Sequence, residues 1–348
     1  MLMIITPNSR ITIAGAGSIG CYLGGRLAAA GRNVTLLLRE PLAQAIASLG
    51  LRVSDLEGND ENIRVSSLTL ATEPAVALGA AEIVLVTVKC RHTQEIAEHI
   101  ATHAGESMVV VSLQNGVNNA ALLRKVVGSK NRVIAGMVPF NVVQTREAGQ
   151  APCFHRASSG TIRMGHGFEV LKSLLNVPGV WVAKHDAIDA LLWSKLLVNL
   201  NNALNALSDL PLAQQLADRR WRLLFRRQMI EGLAALRAAR IPLARIEGVH
   251  PRLVAFALRL SDPLFSLVAR RMLAVDPSAR SSMWEDLEAR RPTEIDYIQG
   301  EIVSIAEKHG VQTPLNRLVM QRIKAAERAG RGSPNLNPDA VAGPPRVS

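Results

Sequence analysis

Residues 10–38 read RITIAGAGSIGCYLGGRLAAAGRNVTLLL. An apolar run, a glycine-rich turn, an Ala-rich segment, a turn glycine at Gly31 and a second apolar run follow one another. That is the order of a βαβ unit. Within it Gly15, Gly17 and Gly20 hold GxGxxG spacing. Gly15 permits a tight turn after the strand, Gly17 lets the backbone approach a pyrophosphate, and Gly20 lets helix and strand pack closely. The helix N-terminus then faces the phosphates. The loop Gly15, Ala16, Gly17, Ser18, Ile19 and Gly20 is therefore the expected cofactor-binding turn. A Gly-rich turn without a ligand is the bland alternative; the strand before the motif and the helix after it favour a dinucleotide.

Further strands follow the same plan. EIVLVTVK (82–89), SMVVVSL (107–113) and RVIAGMV (132–138) are continuous apolar runs, typical of buried parallel strands. TIRMG (161–165) and VWVAK (180–184) are shorter ones. Strands alternating with helices imply an α/β, doubly wound sheet. From about 186 the alternation stops, and helical patterns run over 187–206, 212–238, 250–272, 281–309 and 313–329. The expected layout is an α/β domain over 1–185, an all-α domain over 186–329, and a Gly- and Pro-rich tail, 330–348, read as disordered.

Composition limits the function. Hydrophobic residues make up 48% and charged residues 20% of the 348, which suits a globular chain with real cores. The net charge of +11 comes with no run of five or more basic residues and only 3% aromatics, so nucleic-acid binding is not expected. A basic surface suits an anionic small ligand. Three cysteines without CxxC spacing argue against disulfides and metal, and fit a reducing cytoplasm. No apolar stretch reaches membrane-span length.

Strand ends carry the candidate site residues. The second strand of the opening unit ends in LLL followed by Arg39, where an enzyme using NAD usually offers a carboxylate. An arginine suits a 2′-phosphate, which favours NADPH over NADH. Glu40 is the carboxylate if the strand runs one residue further; otherwise it is a helix-start acid. Lys89 and Asn115 end two later strands and would face the same crevice. Cys90 reads as a packed thiol rather than a nucleophile.

The stretch LLWSKLLVNLNNALNAL (191–207) is aliphatic except for Lys195, Asn199, Asn201, Asn202 and Asn205 among its longer polar side chains. At about 100° per residue Lys195, Asn199 and Asn202 share an arc, Asn205 lies to one side and Asn201 faces away. A solvated stripe usually shows Glu, Lys and Arg rather than amides, so this line reads as the wall of a cleft. In ARSSMWEDLEARRPTEIDYIQG (279–300), Ser281 or Ser282 caps a helix with Glu285 at capping-box distance, leaving the other serine for a ligand. Glu294 could pair with Lys195.

These segments together resemble the ketopantoate reductase (2-dehydropantoate 2-reductase) family: GAGSIG with Arg39, LVTVK, SLQNG, LWSKLLVN and SSMWEDLEARRPTEIDYIQG. The match runs to about 329. The resemblance implies a Rossmann domain followed by a helical domain similar to that of 6-phosphogluconate dehydrogenase. It also implies NADPH-dependent reduction of ketopantoate to pantoate in the pantothenate and coenzyme A pathway, or of another 2-oxo acid in a related enzyme. By matching position, Lys195 is similar to the family's catalytic acid and Glu294 to the acid that orients it. Lys89 and Asn115 look like cofactor contacts, Asn115 also touching substrate, and Asn199 and Ser282 look like substrate ligands. The family often has a second substrate asparagine two turns after the lysine. An ungapped reading puts Ala203 there, a shifted one Asn205, and helix geometry Asn202. The expected partner is a small-molecule 2-oxo acid, with no metal, nucleic acid or membrane, the chain acting as a monomer or homodimer.

Overall fold

The computed structural model describes residues 5–268 and 279–343. The chain forms two compact units, Met1–Asp189 and Ala190–Ser348.

The first unit runs β1 (Ile11–Ala14), α1 (Ser18–Ala29), β2 (Val34–Leu37), α2 (Glu40–Leu49), β3 (Leu51–Asp55), β4 (Asp60–Ile63), β5 (Thr69–Ala71), α3 (Pro74–Leu78), β6 (Ile83–Val86), α4 (Thr93–His103), β7 (Val109–Ser112), α5 (Asn119–Val127), β8 (Arg132–Met137), β9 (Val142–Thr145), β10 (Cys153–Arg156), β11 (Ile162–Met164), α6 (Lys172–Leu175) and β12 (Val182–Lys184). The main sheet has the order β12-β11-β8-β7-β6-β1-β2-β5. It is parallel from β5 to β8, and β11 joins β8 antiparallel. Strands β1, β6 and β7 are buried at every position, as their unbroken apolar runs require. The strand order reverses beside β1, with β2 on one side and β6 on the other, which opens a crevice at the carboxyl ends of these strands.

A second sheet, β4-β3-β10-β9, was not evident in the sequence. Its strands are short and half-exposed, so they lack the continuous apolar signal of the main sheet. Two buried arginines meet there: Arg26 ties it to α1, and Arg156 ties β10 to β3. Arg26 of α1 and Arg156 of β10, each 1% exposed, both approach Asp55 Oδ2, at 3.5 and 3.8 Å. Each also reaches an acid nearer the surface, Glu61 and Glu57.

The second unit, helical throughout the described residues, runs α7 (Ile188–Asn199), α8 (Asn201–Ser208), α9 (Leu212–Ala217), α10 (Arg219–Ala238), α11 (Pro251–Ala257), α12 (Asp262–Val268), α13 (Ser282–Glu288), α14 (Ile295–Lys308), α15 (Pro314–Ala329) and α16 (Pro338–Ala342). Four of the five long helical patterns are thus subdivided, and the fifth, 313–329, is the single helix α15. Asp218 separates α9 from α10 and caps the latter by accepting from Arg220 N–H. Residues 269–272, the end of one expected helix, lie outside the described residues. Gly232 of α10 allows close packing on α7: a Cβ there would lie 2.5 Å from Leu197 Cδ2.

The expectation of a disordered tail is corrected for residues 331–343. Ser333 Oγ donates to Ala206 O at 2.7 Å, and Leu336 N to Leu207 O at 2.8 Å, satisfying carbonyls at the end of α8. Asn337 caps α16, and Val341 is completely buried. The low apolar content hid one well-placed valine and two backbone contacts. Residues 344–348 lie outside the described residues.

Candidate functional site

In the first unit the glycine loop is shaped by its neighbours. Gly15 has φ +92°, and a Cβ there would lie 2.8 Å from Val88 N. A Cβ on Gly20 would come within 2.6 Å of Thr87 Oγ1 and 2.9 Å of Gly15 O. Gly17 differs: a Cβ there would meet nothing within 4 Å. The loop is pinned on both sides, by Ala16 N to Leu37 O at 3.0 Å and by Thr87 Oγ1 to Gly15 O at 2.9 Å. Helix α1 has no side-chain cap and no acid in its first turn, so its early N–H groups suit an anion. The fit to a dinucleotide pyrophosphate is good on all three counts: a tight turn, open space over Gly17 and uncapped amides.

Arg39 is exposed at the N-cap of α2, two residues past β2. Glu40 is the first residue of α2, and its carboxylate accepts from Gln44 Nε2 at 2.8 Å, as a helix-start acid does. Lys89 follows β6 and is half-buried; Asn115 follows β7, also half-buried, before Gly116 with φ +80°. Both therefore stand at carboxyl ends of neighbouring strands.

Sequence reading missed what lies beneath them. Gln114 Nε2 donates to Val88 O at 3.1 Å and to Thr93 Oγ1 at 2.7 Å. Ser112 Oγ donates to Gln114 Oε1 at 3.2 Å, and Thr93 Oγ1 to Asn119 Oδ1 at 2.8 Å. Asn119 Nδ2 reaches Asn115 O and, at 3.4 Å, Cys90 Sγ. The Cys90 thiol donates to Asn115 O at 3.0 Å. Cys90 is buried, in keeping with the packed thiol expected.

In the second unit, burial along α7 and α8 is selective. Between Lys195 and Ser208 only Lys195, Val198, Asn199 and Asn202 escape burial; every other residue is buried. Offsets of three, four and seven place these on one helical strip. The joint between the helices at Leu200 keeps an αR backbone, and Gln299 of α14 donates to its carbonyl at 2.9 Å. Ser194, beside Lys195, accepts Ala244 N–H at 3.0 Å, pinning that turn to a loop.

The other asparagines are occupied internally. Asn201 and Gln215 exchange two amide bonds, at 3.1 and 3.2 Å. Asn205 is 0% exposed, donates to Leu210 O at 2.8 Å, and accepts Ser281 N–H at 2.8 Å. Asn205 as a substrate ligand is therefore corrected to a structural residue. Ala203 is likewise fully buried, so Asn202 alone of the three stands on the exposed strip. Gln215, far along the sequence, gave no signal that it would claim two asparagines.

Ser281 is the N-cap of α13, accepting Trp284 N–H at 3.2 Å and donating to Asn202 O at 2.9 Å. Glu285 lies one residue beyond the capping-box position of that cap, which corrects the box. Ser282 is the first residue of α13 and is half-buried. Glu294 is the N-cap residue of α14 and is 5% exposed. No described group of three or more His, Cys, Asp or Glu side chains could hold a metal ion. Among the described residues no helix is long and apolar enough to cross a membrane.

Two family models match these segments: ketopantoate reductase PanE/ApbA over residues 11–167, and ketopantoate reductase PanE/ApbA C terminal over residues 187–327. The chain belongs to the ketopantoate reductase family. That makes it an oxidoreductase acting on a CH–OH group. The 2-dehydropantoate 2-reductase of Halobacterium salinarum is 28% identical, covering 92% of this chain and all of that protein. The ketopantoate reductase structure from Ralstonia eutropha superposes with TM-score 0.76 at 30% identity, covering 92% of this chain and 99% of the other. D-mandelate dehydrogenase with NADH and anilino(oxo)acetate has TM-score 0.75 at 20% identity and covers 92% and 99%, a likeness of fold alone.

Proposed function

We propose that this ketopantoate reductase family member reduces 2-dehydropantoate to pantoate with NADPH. The observation that carries the reading is the strip of Lys195, Asn199 and Asn202, the partly exposed polar groups between Lys195 and Ser208, a stretch buried apart from them and Val198. When bound, NADPH supplies the hydride for the ketone carbon. Lys195, as ammonium, donates the proton to the ketone oxygen and stabilises the negative charge developing there. Glu294 keeps the lysine charged and oriented. Asn115, Asn199, Asn202 and Ser282 hold the substrate, a positioning task. Gly15 to Gly20 hold the pyrophosphate, Lys89 and Asn115 contact the cofactor, and Arg39 meets the 2′-phosphate. The chain's net charge of +11 favours such anionic ligands.

The test follows NADPH oxidation with a panel of 2-oxo acids that includes ketopantoate. Turnover of ketopantoate above the rest supports the reading. Absence of ketopantoate turnover with good turnover of another acid favours the second reading, a related hydroxy acid dehydrogenase. The buried Ala203 at the ungapped position of the second substrate asparagine is the observation that favours it. Lys195→Ala should lower kcat by about 100-fold or more; near-normal turnover removes it from the acid's role. Arg39→Ala should weaken NADPH far more than NADH, and an equal effect on both would shift the ribose contact to Glu40.

A further inference from the structure

We propose that Gln114, Thr93, Asn119 and Cys90 form a positioning relay that fixes the backbone carrying Lys89 relative to that carrying Asn115. The proposal rests on the reading that Lys89 and Asn115 face the cofactor. Four chain segments meet in the relay: the turn after β6, the first residue of α4, the end of β7 and the first residue of α5. Gln114 alone ties three of them, through its own backbone, Val88 O and Thr93 Oγ1. Val88 directly precedes Lys89. Asn115 is gripped by its carbonyl, which accepts from both the Cys90 thiol and the Asn119 amide. Cys90 in turn directly follows Lys89. The two candidate residues are thus held from both sides by one set of bonds.

All four relay side chains are buried. Buried amides and hydroxyls are tolerable only when their partners are present, so such a network has one low-energy arrangement. Loops at strand ends are ordinarily the mobile part of such a sheet. Here a polar web beneath them removes that freedom. None of the relay residues needs to touch the cofactor, so each is a positioning residue. Misplacing a contacting group by even an ångström is costly to binding and turnover alike.

The experiment compares Thr93→Val with Thr93→Ser, and adds the milder Cys90→Ala in case the valine variant folds poorly. Dissociation constants for NADPH are measured by titration, with steady-state kcat and KM and thermal midpoints alongside. Thr93→Val should raise the NADPH dissociation constant about tenfold, Thr93→Ser should restore it, and Cys90→Ala should raise it by a smaller factor. Loss of thermal stability with unchanged cofactor affinity in both Thr93→Val and Cys90→Ala overturns the relay. Lys89→Ala and Asn115→Ala separate the two failures. If they weaken NADPH while the relay variants do not, only the relay is wrong. If neither weakens it, the cofactor-facing reading fails and the relay falls with it.

Discussion

Asn202 and Asn205 stand three positions apart on α8, yet one is half-exposed and the other fully buried. Asn205 is enclosed, and its removal leaves Ser281 N–H and Leu210 O without partners. Asn205→Ala should therefore cost about 1–3 kcal/mol of stability, read as a lower thermal midpoint. Asn202→Ala removes a half-exposed amide that, among the described residues, holds no structural bond comparable to these. It should leave the thermal midpoint within a degree or so of wild type while raising the KM for the 2-oxo acid several-fold, as loss of a ligand contact does. The reverse pattern would exchange their roles. Helix periodicity put Lys195, Asn199 and Asn202 on one arc, and burial agrees residue by residue. What periodicity could not supply was the identity of the buried partners: Gln215 lies on another helix, and nothing local announces it.

At the scale of elements, helix ends are where the sequence was least legible. The breaks at Leu200 and Asp218 fall inside continuous helical patterns, because a one-residue joint leaves the apolar periodicity intact. The docked tail was misread because turn-rich composition describes local freedom and not what lies beneath. The start of α11 is an unusual cap: His250 Nδ1 accepts Arg252 N–H at 3.2 Å. Only a neutral imidazole nitrogen can accept. Burial, then the charges of Arg252 and Arg245, push the His250 pKa below its ordinary value. A lowered pKa in the folded state means the cap's contribution is full above the unfolded value near 6.5 and is lost as pH falls through the folded one. His250→Asn keeps a capping acceptor that does not titrate there. Its thermal midpoint should fall less than that of wild type between pH 7 and pH 5; parallel curves would remove His250 from the pH response.

At the scale of the molecule, the main sheet and the helical unit were legible because long apolar runs and long helical periods leave strong signals. The small sheet was not: Leu51, Val53 and Phe154 join it to the main core, and a buried charge cluster lies beside them. Asp55 shows the balance. Burial pushes its carboxyl up, but the Asn59 side chain, the N–H groups of Asn59 and Glu57, and the Arg156 charge outweigh it and hold the pKa below the usual carboxylate range. Its contribution is therefore present above the unfolded value and lost as pH falls through the folded one. Asp55→Asn leaves two guanidiniums enclosed with a neutral partner and should cost about 3–5 kcal/mol, read by thermal unfolding at neutral pH. A change under about 1 kcal/mol would show that Glu57 and Glu61 suffice.

The interleaving on α8 has a consequence for descent and for engineering. Asn201, Asn205 and Gln215 share amide bonds, so a change at one of them costs the others a partner. Asn202 is tied through its carbonyl, which accepts from Ser281 Oγ, and among the described residues its amide lies outside that shared set. On the substrate role proposed for Asn202, new substrate preferences are reachable by single steps at that position without first dismantling the helix that carries it.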